Sequence, residues 1–125
     1  MKIAVDFDGT IVENAYPAIG KPRPFAFQAL SMLAKKHQLI LWTCRVGNEL
    51  FEAVSFCQKN GVEFYAVNKN YPEEDDSCSF SRKVDADLYI DDRGIGGLPS
   101  WGEIYHSIEG DATKPKNEKK WWKIF

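Results

Sequence analysis

Cysteine is scarce in this 125-residue chain, and what there is forms no pattern. Cys44, Cys57 and Cys78 are odd in number and widely spaced, with no CxxC pair, which argues against both a disulfide framework and a zinc site. Reduced thiols in a cytoplasmic protein are the expectation. Long apolar runs are also missing: none approaches the ~20 residues that a membrane-spanning helix needs, and the first residues lack a secretory-leader pattern. Charge of one sign is not in surplus either. Sixteen Lys and Arg stand against 18 Asp and Glu, a formal net charge of −2, so nucleic acid is not indicated as a partner. There is no internal repeat and no second domain; the length suits one packed core.

What is present is an alternation. Lys2–Phe7, Leu39–Thr43, Glu63–Val67 and Ala86–Asp91 are short runs rich in Ile, Val, Leu, Phe and Tyr, the pattern of strands covered on both faces. Between the first two, Ala26, Leu30, Leu33 and Ala34 recur at helical spacing, with Lys35 and Lys36 near the end, where they suit the helix dipole. Between the second and third, Leu50, Val54 and Cys57 mark the inner face of another helix, with Asn48 as its expected N-cap and Gly61 as its expected C-cap. A last helix is expected after Pro99, through SWGEIYHSI. Strand alternating with helix predicts an α/β, Rossmann-like three-layer sandwich around a mainly parallel sheet. Residues 1–110 form the domain on this reading, and 111–125 a basic and aromatic tail.

Ligands of open parallel sheets bind beyond the carboxyl ends of the strands. Asp6, Asp8, Gly9 and Thr10 follow the first strand, in the stretch IAVDFDGTIV. Thr43, Cys44 and Arg45 end the second. Asp91, Asp92 and Arg93 end the fourth, with Lys83 shortly before it. Acids gathered at one edge repel each other unless a cation sits among them, and oxygen donors favour Mg²⁺ over zinc. A lysine and a threonine beside such a site suit a phosphoryl group. A carboxylate can attack phosphorus to give an aspartyl-phosphate, and a second acid two residues on can protonate the leaving oxygen and later activate water.

With these residues in place, DFDGT resembles the first motif, DxDGT, of the haloacid dehalogenase (HAD) superfamily of phosphohydrolases. Thr43, Lys83 and the Asp91-Asp92 pair follow in the order of the later motifs. The resemblance covers about the first hundred residues. It implies a HAD-like fold and an Mg²⁺-dependent phosphomonoester hydrolase. Asp6 would be nucleophile and metal ligand. Asp8 would be the general acid/base, with its backbone carbonyl on the metal. Thr43 would hydrogen-bond the phosphoryl group, Lys83 would balance its charge, and Asp91 and Asp92 would complete the metal site. Val84 follows Lys83 where related short sequences often carry proline. About a dozen residues separate Thr10 from the first helix and about twenty separate Val67 from Asp91, too few for an inserted cap domain. A capless chain is implied, with IVENAYPAIGKPRP as a short flap. An open site either admits a large phosphorylated substrate or is closed by a neighbouring subunit of a homo-oligomer.

Other readings compete. A phosphorylation-controlled receiver domain also groups acids, Thr and Lys around Mg²⁺, but it takes its phosphate on an Asp after the third strand, where this chain has Asn68-Lys69. A catalytically idle phosphate- or metal-binding module on the same fold is the other alternative. Arg45 and Arg93 are read as substrate contacts or solvated salt bridges. Cys44 is read as a small buried residue, His37 and His106 as surface residues, and PEEDDS as a solvated loop. The tail KNEKKWWKIF either folds back through Trp121 and Trp122 or meets an acidic partner, a membrane surface or another subunit.

Overall fold

The computed structural model describes residues 1–75 and 82–110. Cys78, the end of the PEEDDS run and the tail 111–125, Trp121 and Trp122 included, lie outside the described residues. Strands and helices alternate as β1 (Lys2–Val5), α1 (Ala26–Leu33), β2 (Gln38–Leu41), α2 (Gly47–Lys59), β3 (Ala66–Val67), β4 (Leu88–Ile90) and α3 (Trp101–Glu109). The sheet order is β3-β2-β1-β4, and every neighbouring pair is parallel. The protein is therefore of the α/β class with a parallel sheet. β1 is central: Val5 pairs with Leu41 on one side and with Ile90 on the other.

Alternation along the strands divides the core. Ile3, Val5, Leu39 and Leu41 meet Leu30 and Leu33 of α1, Ala53 and Cys57 of α2, and Trp101 and Ile104 of α3. Each fully buried Ile or Leu contributes ~1.5–3 kcal/mol, so this face supplies most of the apolar stabilisation. Ala4 and Ile40 point to the other face, where Ala66, Val84 and Ala86 join them. The two outer layers are unequal. Three helices cover one face; among the described residues an irregular crossover between β3 and β4 covers the other.

Local chemistry accounts for some helix ends and not others. α2 stops in a Schellman motif: Val62 N–H donates to Cys57 O and Gly61 N–H to Gln58 O, with Gly61 at φ +87°. Ser100 caps α3, accepting from Glu103 N–H at 3.2 Å while its hydroxyl donates to the Glu103 carboxylate at 3.0 Å. The start of α2 differs from expectation. Val46, in extended backbone, is the N-cap, and Asn48 lies inside the helix. The reason is tertiary: the Arg45 side chain donates to Glu49 O in the first turn, at 3.3 Å, and so anchors a helix that starts at Gly47, one residue ahead of Asn48. α1 ends at Leu33, before Lys35 and Lys36, and Lys36 pairs with Glu109 of α3 at 2.9 Å instead of capping its own helix.

β1, β2 and β4 end one or two residues before their expected limits, while β3 ends at Val67 as expected but starts only at Ala66. The ladder still continues past the ends of β1 and β2: Asp6 N–H donates to Ile90 O at 3.0 Å and Trp42 N–H to Val5 O at 2.9 Å. Asp6, Thr43 and Asp91 consequently stand in the loops just beyond the carboxyl edge, in fixed register with one another. Among the described residues no helix is long and apolar enough to cross a membrane.

Candidate active site

The turn after β1 is built around one carbonyl. Phe7 O accepts from the N–H groups of Thr10, Ile11 and Val12, which reverses the chain directly beyond Asp6. Ile11 and Val12 are fully buried, and Val12 forms isolated bridges with Asp8 and Pro22. Glu13 N–H to Lys21 O and Arg23 N–H to Ile11 O then close the base of the flap. Trp101, at the start of α3 and 1% exposed, supports this turn from beneath by donating its indole N–H to Thr10 O at 2.8 Å.

Asp6, Asp91 and Asp92 converge here. One carboxylate oxygen from each lies within 4.8 Å of the others, and all three residues are half-buried. Burial is the first cause that pushes the Asp6 carboxyl up to about 7; a hydrogen bond from the Phe7 backbone opposes it, and the charges of Asp91 and Asp92 add to it. Thr10 joins the cluster. Its buried hydroxyl accepts from Asp92 N–H at 3.0 Å and lies 3.3 Å from an Asp6 oxygen and 3.4 Å from an Asp92 oxygen, so its one proton serves either carboxylate. Asp91 is fixed by Arg93 N–H, which donates to its Oδ1 at 2.7 Å.

Gly9 explains the glycine of the DGT triplet. A Cβ there would stand 2.3 Å from Asp92 Oδ2, and its φ of +87° is a left-handed value that side chains resist. Glycine lets the backbone come up against the second carboxylate of the Asp91-Asp92 pair.

Asp8 is placed differently. Its carboxylate is not among the three that converge; both its oxygens face Arg45, with Nε to Oδ2 at 2.7 Å and Nη2 to Oδ1 at 2.8 Å. Arg45 is buried, at 1% exposure, so it is neither a solvated surface charge nor open to a ligand. Thr43 lies at the same edge. Its N–H donates to Asn68 Oδ1 at 2.8 Å and its Oγ1 accepts from Arg45 N–H at 3.1 Å, which leaves the hydroxyl proton to donate. Asn68, at the position where a receiver would take its phosphate, thus holds the Thr43 backbone. Lys83 is exposed, and its ammonium lies 5.1 Å from the centroid of the Tyr89 ring in β4.

Several sequence readings change in the structure. Cys44 is exposed rather than buried, because β2 ends at Leu41 and the chain has left the sheet by then. His37 is not a free surface residue: it is mostly buried, 2.7 Å from Glu109 and 3.1 Å from the N-terminal amine. His106 is exposed, as expected. The contributions of Gly9, Thr10 and Trp101 were not assigned from the sequence, and neither was that of Arg45, which is a buried partner of Asp8 and not the substrate contact or solvated salt bridge expected. The DGT triplet was a signal for the first two. Trp101 and Arg45 act across the fold, between residues far apart in the chain.

No family model matches the chain, and no curated protein does. A solved structure does: that of a conserved protein coded by a locus from Bacteroides thetaiotaomicron, 57% identical, with a TM-score of 0.82 over 87% of this chain and 89% of that chain.

Proposed function

This chain belongs to the same family as that conserved Bacteroides thetaiotaomicron protein, and from its site we propose that it is an Mg²⁺-dependent phosphomonoester hydrolase of the HAD type, working through an aspartyl-phosphate. The observation that carries the reading is the convergence of Asp6, Asp91 and Asp92 at the carboxyl edge of a parallel sheet. Half-buried carboxylates this close raise one another's cost of ionisation, and a hard divalent cation relieves it. The donor set is all oxygen, which fits Mg²⁺ better than zinc or copper. Asp6, Asp91, Asp92 and the Asp8 carbonyl would hold it. When bound, the ion supplies charge neutralisation for the phosphoryl oxygens and for Asp6.

The chain's own groups perform the transfer. An Asp6 oxygen attacks phosphorus, and the bond from phosphorus to the ester oxygen breaks. Asp8, after taking a proton from solvent on a lone pair turned away from Arg45, gives it to that oxygen. Asp8, now a carboxylate, takes a proton from water, which attacks phosphorus and releases inorganic phosphate and Asp6. The Thr43 hydroxyl donates to a phosphoryl oxygen. Lys83, held over Tyr89 on the strand that leads to Asp91, is the cation we assign to the same charge. Among the described residues no inserted domain covers the edge, which suits an open site. The free thiols of Cys44 and Cys57 suit a reducing compartment, which we take to be the cytoplasm.

A screen of phosphomonoesters for phosphate release, with Mg²⁺ and with chelator, tests the proposal. Release should require Mg²⁺ and should vanish in Asp6→Asn, which keeps the shape of the side chain and removes its charge. Turnover in chelator, or near wild-type turnover by folded Asp6→Asn, would contradict it.

A further inference from the structure

Arg45 has a feature that the proposed chemistry does not use: all five of its N–H donors are accounted for, and they go to three separate parts of the fold, Asp8, the flap and α2. Nε and one Nη2 hydrogen hold the two Asp8 oxygens, at 2.7 and 2.8 Å. Nη1 donates to Pro17 O at 3.2 Å and to Glu49 O at 3.3 Å, and Nη2 also donates to Ala18 O at 2.8 Å. Pro17 and Ala18 lie in the flap. The guanidinium carbon also sits 5.1 Å from the ring centroids of both Phe7 and Tyr16, and Tyr16 is a flap residue. A buried guanidinium needs such complete pairing, because a single unmet N–H inside the fold is costly.

We propose that Arg45 is a positioning residue that couples closure of the flap to the orientation of the Asp8 carboxylate. The inference rests on the reading of Asp8 as general acid/base. Its geometric half, the fastening of the flap to Asp8, stands apart from any activity. Side-on pairing fixes the plane of the carboxylate, so only the lone pairs turned away from the guanidinium remain for a substrate or a water. If the flap lifts, Arg45 loses two carbonyl acceptors and the Tyr16 ring, and Asp8 loses a rigid partner. Closing the flap over a bound ester therefore fixes which Asp8 lone pairs face the leaving oxygen, and so where a proton taken from solvent must sit to be passed to it. Lysine cannot substitute: its ammonium is a point charge with three donors and cannot span Asp8, two flap carbonyls and α2 at once.

Hydrogen exchange of the full-length protein reads the coupling without activity. Glu13 and Arg23 N–H, bonded across the flap base, report on the flap; Val5 and Leu41, in paired strands, report on the sheet. In Arg45→Lys and in Asp8→Asn the flap amides should exchange at least tenfold faster while the sheet amides keep their protection. Should Arg45→Lys not fold, Asp8→Asn and Tyr16→Ala, the latter at a half-exposed side chain, still decide the matter. Unchanged flap exchange in folded Asp8→Asn would overturn the proposal. The second readout is leaving-group sensitivity. Tyr16→Ala and Arg45→Lys should lower kcat at least tenfold for an alkyl phosphate and much less for p-nitrophenyl phosphate, whose leaving group needs no proton. Adding Asp8→Asn to either variant should cost less than Asp8→Asn costs alone. Equal losses on both esters, with multiplicative effects in the double variants, would show Arg45 to be a strut only. If the wild type releases phosphate from no ester of the screen, the phosphatase reading fails, and the exchange experiment alone decides whether Arg45 fastens the flap to Asp8.

Discussion

At the scale of single residues, Gly9 makes the sharpest demand. Any side chain there meets Asp92 and must also hold a positive φ. Gly9→Ala is expected to cost ~1–3 kcal/mol, from the strained backbone and the displaced carboxylate together. A urea midpoint lowered by that free energy divided by the denaturant slope, together with a higher Mg²⁺ concentration for half-maximal phosphate release, is the expected outcome. The aspartates themselves were legible in the sequence because their spacing beyond a strand is local. The partner of Asp8 was not. The ion pair joins residues 37 apart, and nothing near Arg45 in the chain distinguishes a guanidinium turned inward from one turned to solvent. The packing of Phe7, Tyr16, Pro17 and Ala18 around it makes that choice.

Elements were legible where their ends are set by neighbours in sequence. Gly61 stops α2 because a left-handed residue is needed there, and Ser100 with Glu103 starts α3 because each satisfies the other. Ser100→Ala should therefore cost ~1 kcal/mol, the usual worth of such a cap, seen as a shifted denaturation midpoint at constant slope. The loss bears on the site as well, since α3 opens with Trp101, whose indole holds Thr10. Cys44 failed as a buried residue because β2 ends at Leu41, before it, and Asn48 failed as a cap for a tertiary reason. The chain between β2 and α2 is organised by Arg45 reaching across the fold, which the local pattern does not record. The unequal outer layers were hidden similarly: both faces of the strands are apolar, whichever element covers them.

For the whole molecule, the raised Asp6 carboxyl links stability, pH and metal. Its folded-state value of about 7 lies above the ordinary carboxylate range, so between roughly pH 4 and pH 7 the folded protein holds the proton more tightly than the unfolded chain does. This contribution is present at low pH and is lost as pH rises through about 7. Mg²⁺ binds the carboxylate and competes with that proton, so its stabilising effect should grow over the same interval. At a hundredfold excess over the dissociation constant, a ligand adds about 2.7 kcal/mol. Thermal denaturation is thus expected to show a rise in Tm with Mg²⁺ that is larger at pH 8 than at pH 5.5; an equal rise at both would mean that the ion binds elsewhere. The central claim is that Asp6 accepts a phosphoryl group in a site completed by Mg²⁺. It can be tested without knowing the substrate, because beryllium fluoride adds to a nucleophilic carboxylate as an analogue of the aspartyl-phosphate. The measurement is the ¹⁹F NMR spectrum of protein with beryllium fluoride. Bound fluoride signals that require Mg²⁺, persist in Asp8→Asn and are absent from folded Asp6→Asn are the predicted result; no bound signal in the wild type with Mg²⁺, or the same signals in Asp6→Asn, would contradict it.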